Sequence, residues 1–380
     1  MLSSPVVAYT ERSMSWKVTT LPRLPRAALA AAILVSVALA GCGSAAAPVK
    51  TKNKTKASQG GQPYAWKSKV RNPYLPGDIL IADRANNRLL IVNPQKQIVW
   101  QFPKPGEKTN FPFVGPDDAF FTSGYREIIT NEEGSNTVAI LNMAQRKIVW
   151  TYGHFGPGSS APGYLYTPDD AFLRPNGIVT VADIHNQRIV FIDRATHQII
   201  KQYGVTNYSV HNPPTSFAAP NGDFPGPNGS MLVTEIDGSY VDLISRTGSL
   251  LWSVHVPFPH ANINYPSDAN FTPDGNIIVA DYSNPGEILK ITPQGKVLWD
   301  YFFPSGQGAL DNPSLAYQLK NGMVIVNDDD NNRVIVIDPK TDKIVWQYGH
   351  TGVAGKAPGY LSDPDGTDFL PAGITPPGVK

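Results

Sequence analysis

Six repeats of about fifty residues, each closing on an apolar pair before Trp100, Trp150, Lys201, Trp252, Trp299 or Trp346, predict an all-β fold: a six-bladed propeller of four-stranded blades. Successive repeats lie 50, 51, 51, 47 and 47 residues apart. Composition agrees, because 33 Gly and 35 Pro in 380 residues exceed what helix interiors tolerate. The two ends of the repeat region complement each other. Gly77 to Trp100 supply only the last three strands of a blade, and Pro364 to Phe369 supply one unpartnered strand at the end. Pairing them completes a sheet and removes two exposed edges.

Lys17, Arg23 and Arg26 form a positive segment ahead of an apolar run from Ala27 to Ala40, too short to span a bilayer comfortably. That run ends in Leu39, Ala40, Gly41 and Cys42, which resembles the lipobox of bacterial lipoproteins. The resemblance implies a signal peptide over 1–41 and a diacylglycerol thioether on Cys42, the single cysteine. Residues 42–70 are small and polar, with Lys50, Lys52, Lys54 and Lys56 spaced for a solvated tether near anionic headgroups. The expected location is the outer, extracytoplasmic face of a membrane, lipid-anchored.

The propeller is expected over 71–374, followed by a tail at 375–380. Each blade reads as an inner strand opened by a proline (Pro116, Pro168, Pro214, Pro266, Pro313 or Pro364), then an apolar strand buried on both faces, such as Ile178 to Ala182. A third apolar strand follows, as at Leu89 to Val92, and the fourth carries the tryptophan. Recurrence of tryptophan at one place per blade predicts packing between neighbouring sheets rather than a cofactor box.

Asp83 to Arg88 (DRANNR), Asp183 to Arg188 (DIHNQR) and Asp328 to Arg333 (DDDNNR) resemble the D-x-x-N-x-R core of NHL repeats. Tyr152 to Asp169 and Tyr348 to Asp365 are similar to the glycine-rich connection between NHL blades. The IVW and VLW strands also resemble those of arylsulfotransferase-like and quinoprotein-like (PQQ-like) propellers. Within each NHL-like segment the Asp and Arg are expected to hold a turn, worth 0 to about 1 kcal/mol on an exposed surface.

Chemistry is sparser. Asp328 to Asn332 begin like a calcium loop, but Arg333 stands at the sixth place and Pro339 at the twelfth, so a polar hairpin turn is expected. Neither a G-x-S-x-G elbow nor an H-E-x-x-H motif occurs. His154, His211, His260 and His350 precede inner strands and are positioned to crowd one mouth. An arylsulfotransferase-like enzyme implies a channel histidine, whereas these strand starts carry Asp, Ser or Leu.

Asp118, Asp170 and Asp268 occupy matching places in three inner strands, and Asp368 lies near that place in another. Inner strands surround the propeller axis, so these four are the expected ligand-binding residues, with calcium or magnesium as the cation hard oxygen donors favour. Lys plus Arg at 32 against Asp plus Glu at 31 leaves no field to recruit nucleic acid. The reading is therefore a monomeric binding scaffold, meeting a protein or small-molecule ligand at a propeller face. Its alternative is a funnel-site enzyme: a metal-dependent lactonase-like hydrolase, or an arylsulfotransferase-like or quinoprotein-like relative.

Overall fold

A computed structural model describes residues 72–261, 264–375 and 378. The leader, the tether and Cys42 lie outside the described residues, as does most of the tail. No helix among the described residues is long and apolar enough to cross a membrane. The helical segments there are 3-10 turns of three residues each.

The chain forms a six-bladed β-propeller. Five sheets have four antiparallel strands and one has three. The closing sheet has Pro364–Pro371 as its inner strand, beside Gly77–Asp83, Arg88–Val92 and Ile98–Phe102. Ile79 faces Phe369 and Asp78 faces Leu370 across this seam, so the two ends of the propeller share one sheet as the repeat phase requires. Counting this as blade 1, blade 2 runs from Ala119–Phe121 to Lys147–Gly153 and blade 3 from Pro168–Leu173 to Gln198–Tyr203. Blade 4 consists of Met231–Glu235, Tyr240–Ile244 and Leu250–His255. Blades 5 and 6 begin at Pro266–Phe271 and Ala316–Gln318.

Blade 4 corrects one expectation. Pro214 does not open its inner strand; Pro220 does, bridging Glu235 as Pro168 bridges Asp183 and Pro364 bridges Asp83. The reason is conformational. The residue before five of these prolines is left-handed: Gly115, Thr167, Ala219, Asn312 and Asp363, with φ of 59, 57, 55, 49 and 53°. Pro214 instead sits in a longer connection, where its carbonyl accepts the Gly204 N–H at 2.9 Å. Gly222 then interrupts the strand pattern, and only isolated bridges remain of the inner strand.

The three D-x-x-N-x-R segments form buried polar knots rather than exposed pairs. Arg333 is 0% exposed and its Nε donates to Asp328 at 2.6 Å, while Nη1 and Nη2 donate to the carbonyls of Gln307 and Ala309. Arg88 binds Asp83 at 2.6 Å and the Lys356 and Tyr360 carbonyls; Arg188 binds Asp183 at 2.7 Å and the Tyr164 carbonyl. Each knot therefore fastens the connection that enters its inner strand. Gly153 and Gly349 pass so close behind that a Cβ would lie 2.3 and 2.2 Å from the Asn136 and Asn332 carbonyl oxygens, at φ near 90°.

Between sheets the core is aliphatic and aromatic. Trp100, Trp150 and Trp346 are buried, and the indole N–H of Trp150, Trp299 and Trp346 reaches the next blade at Arg194, Asp342 and Pro94. The tryptophans thus pack and tie neighbouring blades, as their recurrence predicts. Asp328 to Asn332 form the expected polar turn, with Asn331 donating to Asp328.

Candidate functional site

Inner strands begin at one end of the channel, and there the carboxylates gather. Asp118, Asp170 and Asp268, each two residues after its proline, are 1, 0 and 1% exposed. One carboxylate oxygen from each lies within 4.8 Å of the others. Two oxygens on opposite sides of a calcium ion, with bonds of about 2.4 Å, have about that separation. The matching places in blades 4 and 1 are Gly222 and Gly366. A Cβ at Gly222 would lie 2.8 Å from Asp268 Oδ1, and one at Gly366 2.5 Å from Asp118 Oδ1, so both glycines leave room for the carboxylates.

Asp223 joins them. Its N–H donates to Asp170 Oδ2 at 3.1 Å, and neither of its own carboxylate oxygens has a partner. Asp118, Asp170 and Asp268 each also retain an unpartnered oxygen. No Lys or Arg among the described residues forms an ion pair with any of these four. Burial, then repulsion by Asp268, raises Asp118 and Asp170 well above the usual carboxylate range, and burial, then Asp365, raises Asp268. Burial pushes Asp223 up to about 7.

Asp368 is not part of this group. It lies four residues after its proline, at the place that Phe120 and Phe172 hold in blades 2 and 3, and its carboxylate accepts the N–H groups of Phe121 and Phe369 at 2.7 and 2.6 Å. The two-residue offset moves it one step along the strand, into an aromatic layer. There Phe120 stacks on Phe172 at 4.4 Å, and Phe224 meets both at 5.4 and 4.8 Å. Tyr317 extends the layer to Phe369.

Next to the ring is a second set of charges that repeat phase alone does not reveal. Arg84 pairs with Asp117 at 3.1 Å, Asp365 at 3.2 Å and Glu133. Asp169 accepts from Asn221, and Asp329 accepts from Ser314. The doublets Asp117–Asp118 and Asp169–Asp170 were the available signal. Arg84 forms its ion pairs with this outer set and none with the inner ring.

The four histidines that precede inner strands each meet an aromatic ring. His154 stacks on Tyr164, His211 on Tyr240 and His260 on Phe302, and His350 lies tilted against Tyr360, so each has an aromatic ring of its own loop or blade beside it. A cleft lined by Leu75, Gly77, Asp78, Val99 and Leu370 lies at the closing blade and includes none of the ring aspartates. At the rim, Val149, Ile200, Leu251 and Leu298 expose an apolar side chain on the outer strand of four consecutive blades.

The family described as outer membrane protein assembly factor BamB matches residues 237–363. That span covers most of blades 4 to 6. The fold is also similar to that of a protein of unknown function from Bacteroides caccae, at 18% identity and a TM-score of 0.53, over 77% of this chain and 98% of that one. Virginiamycin B lyase from Staphylococcus aureus is similar over 61% of this chain and 69% of its own, at 18% identity and a TM-score of 0.44. At 18% identity the likeness to the Bacteroides caccae protein shows the fold alone and nothing of the chemistry. No curated protein matches the sequence.

Proposed function

We propose that this chain is an extracytoplasmic lipoprotein, anchored to a membrane through Cys42, whose propeller is a binding scaffold organised around a divalent cation at Asp118, Asp170 and Asp268. The observation that carries the cation is the ring itself: buried carboxylates with unpartnered oxygens that form no ion pair with a basic side chain among the described residues. Such charges must be balanced by shared protons or by an ion. Oxygen donors without thiolate suit calcium or magnesium. The ion then fixes the channel end of three blades, and the aromatic layer of Phe120, Phe172 and Phe224 walls it off on one side.

The lipobox-like Leu39 to Cys42 supports the anchor, and the family match to an outer membrane protein assembly factor accords with an envelope protein that contacts other proteins. The exposed apolar residues favour the outer strands as the contact surface, since edge strands offer unpaired backbone groups to a partner. Two measurements test the reading. Mass spectrometry of the membrane fraction should find a chain beginning at diacylated Cys42, and an unmodified Cys42 still joined to Gly41 contradicts the anchor. Calcium in excess should raise the melting temperature, by about 2.7 kcal/mol of stability at a hundredfold excess over Kd. An Asp118→Asn, Asp268→Asn double variant should lose that response; a response that survives contradicts the site.

A further inference from the structure

Blade 4 lacks the arginine that closes the hairpins of blades 1, 3 and 6. Glu235 stands across from Tyr240 where Asp83, Asp183 and Asp328 stand across from Arg88, Arg188 and Arg333. In place of the guanidinium comes His211, from the long connection that displaces the inner strand. Its Nδ1 lies 2.8 Å from Glu235 Oε1, and its ring lies flat on Tyr240, 3.6 Å away and 11° from parallel. Asp242, two residues further along the same strand as Tyr240, is 0% exposed and neither carboxylate oxygen has a partner. One ligand atom from each of His211, Glu235 and Asp242 lies within 4.8 Å of the others.

Acidic side chains outnumber basic ones in this cluster. Two buried carboxylates face one imidazole, and no Lys or Arg among the described residues pairs with either. Glu235 Oε2 receives the Ala218 N–H at 2.6 Å, which fixes that carboxylate, and the buried Asp242 carboxyl lies beside it. One imidazole nitrogen and two carboxylate oxygens form a borderline donor set, the kind zinc accepts in three-ligand sites with an open fourth position. His211, 27% exposed, leaves a route from solvent. The resembling cluster in blade 5, His260, Glu287 and Asp300, has its histidine and aspartate largely exposed and lacks this enclosure.

We infer that His211, Glu235 and Asp242 form a zinc-class metal site in blade 4, separate from the channel ring and independent of the proposed function. Binding takes the imidazole lone pair and two carboxylate oxygens, and any proton held between Glu235, Asp242 and His211 leaves to buffer.

The test uses the full-length chain, stripped with chelator, equilibrated with zinc chloride and passed through a desalting column. Metal analysis should find one zinc per chain, and cobalt(II) should give the visible absorption bands of a low-coordinate site. Asp242→Asn and His211→Asn should each weaken zinc binding tenfold or more, while His260→Asn and the Asp118→Asn, Asp268→Asn variant should retain it. Asp242→Asn should melt no lower than the parent without metal, because the amide keeps the shape of the carboxyl it replaces, which separates loss of the site from loss of the fold. Failure of the parent to retain zinc, or retention by both blade 4 variants, overturns the inference.

Discussion

The side-chain oxygen of Asn332 accepts the backbone N–H of Asp363 at 3.0 Å, across the seam between blades 6 and 1. The contact recurs at other joints. Asn87 takes the Gly115 N–H at 2.7 Å, Asn136 that of Thr167 at 2.7 Å and Gln187 that of Ala219 at 2.7 Å. In each case a left-handed turn residue holds the left-handed residue that precedes the next inner strand. Three of these, Asn87, Gln187 and Asn332, are the variable place before the arginine of D-x-x-N-x-R, which thus carries the joint between blades. Asn332→Ala leaves the Asp363 N–H without its partner, at a cost of about 1–3 kcal/mol, toward the lower end because Asp363 is partly exposed. Hydrogen exchange should quicken in Pro364–Pro371, whereas Asn136→Ala should quicken the joint between blades 2 and 3 and spare the seam.

Burial changes what the arginine pairs are worth. Arg333 and Asp328 are both fully buried, so Arg333→Met strands a carboxylate and should cost about 3–5 kcal/mol by chemical denaturation. By contrast Lys290 holds Asp274, which is 54% exposed, and Asp274→Asn should cost less than about 1 kcal/mol.

Closure by Pro364–Pro371 is equally testable. Removing residues from Asp363 onward deletes a strand paired along Gly77–Asp83 and exposes that strand's edge. The truncated chain should melt lower and aggregate on light scattering; an unchanged, monomeric protein contradicts closure at this seam.

Glu132 stands in blade 2 where other blades have the aspartate of the knot, but its neighbour is Thr137 rather than arginine. Burial raises its carboxyl from 4.5 to about 8. The folded state therefore holds a proton that the unfolded chain releases between those values. Stability from this group is greatest below pH 4.5 and falls as pH rises toward 8, by up to about 1.4 kcal/mol per unit. Glu132→Gln should flatten that dependence, so its melting temperature should gain on the parent's as pH rises from 5 to 8.

Much of this was legible in the sequence because propeller blades repeat, and a repeat fixes phase. The spacing of Trp100 to Trp346 places every outer strand, and the unpartnered strand after Pro364 announces the seam. Asp118, Asp170 and Asp268 converge because the same phase applies to all three. Phase fails where the chain departs from it. Pro214 looks like an opening proline, yet the inserted connection moves the opening to Pro220. Asp368 looks close to the ring, but two residues along a strand carry it into the next layer. The Arg84 cluster and the approach of His211 to Asp242 join residues from different blades and connections, which no spacing within one repeat encodes.

The channel ring of Asp118, Asp170 and Asp268 is proposed to hold a divalent cation. Calorimetric titration of the chelator-stripped full-length chain with calcium measures it most directly. One calcium bound per chain in the parent and in Asp242→Asn, and none in the Asp118→Asn, Asp268→Asn variant, is the predicted result. No heat and no retained metal from calcium or magnesium at millimolar concentration would contradict it, and would leave Asp118, Asp170 and Asp268 balanced by shared protons.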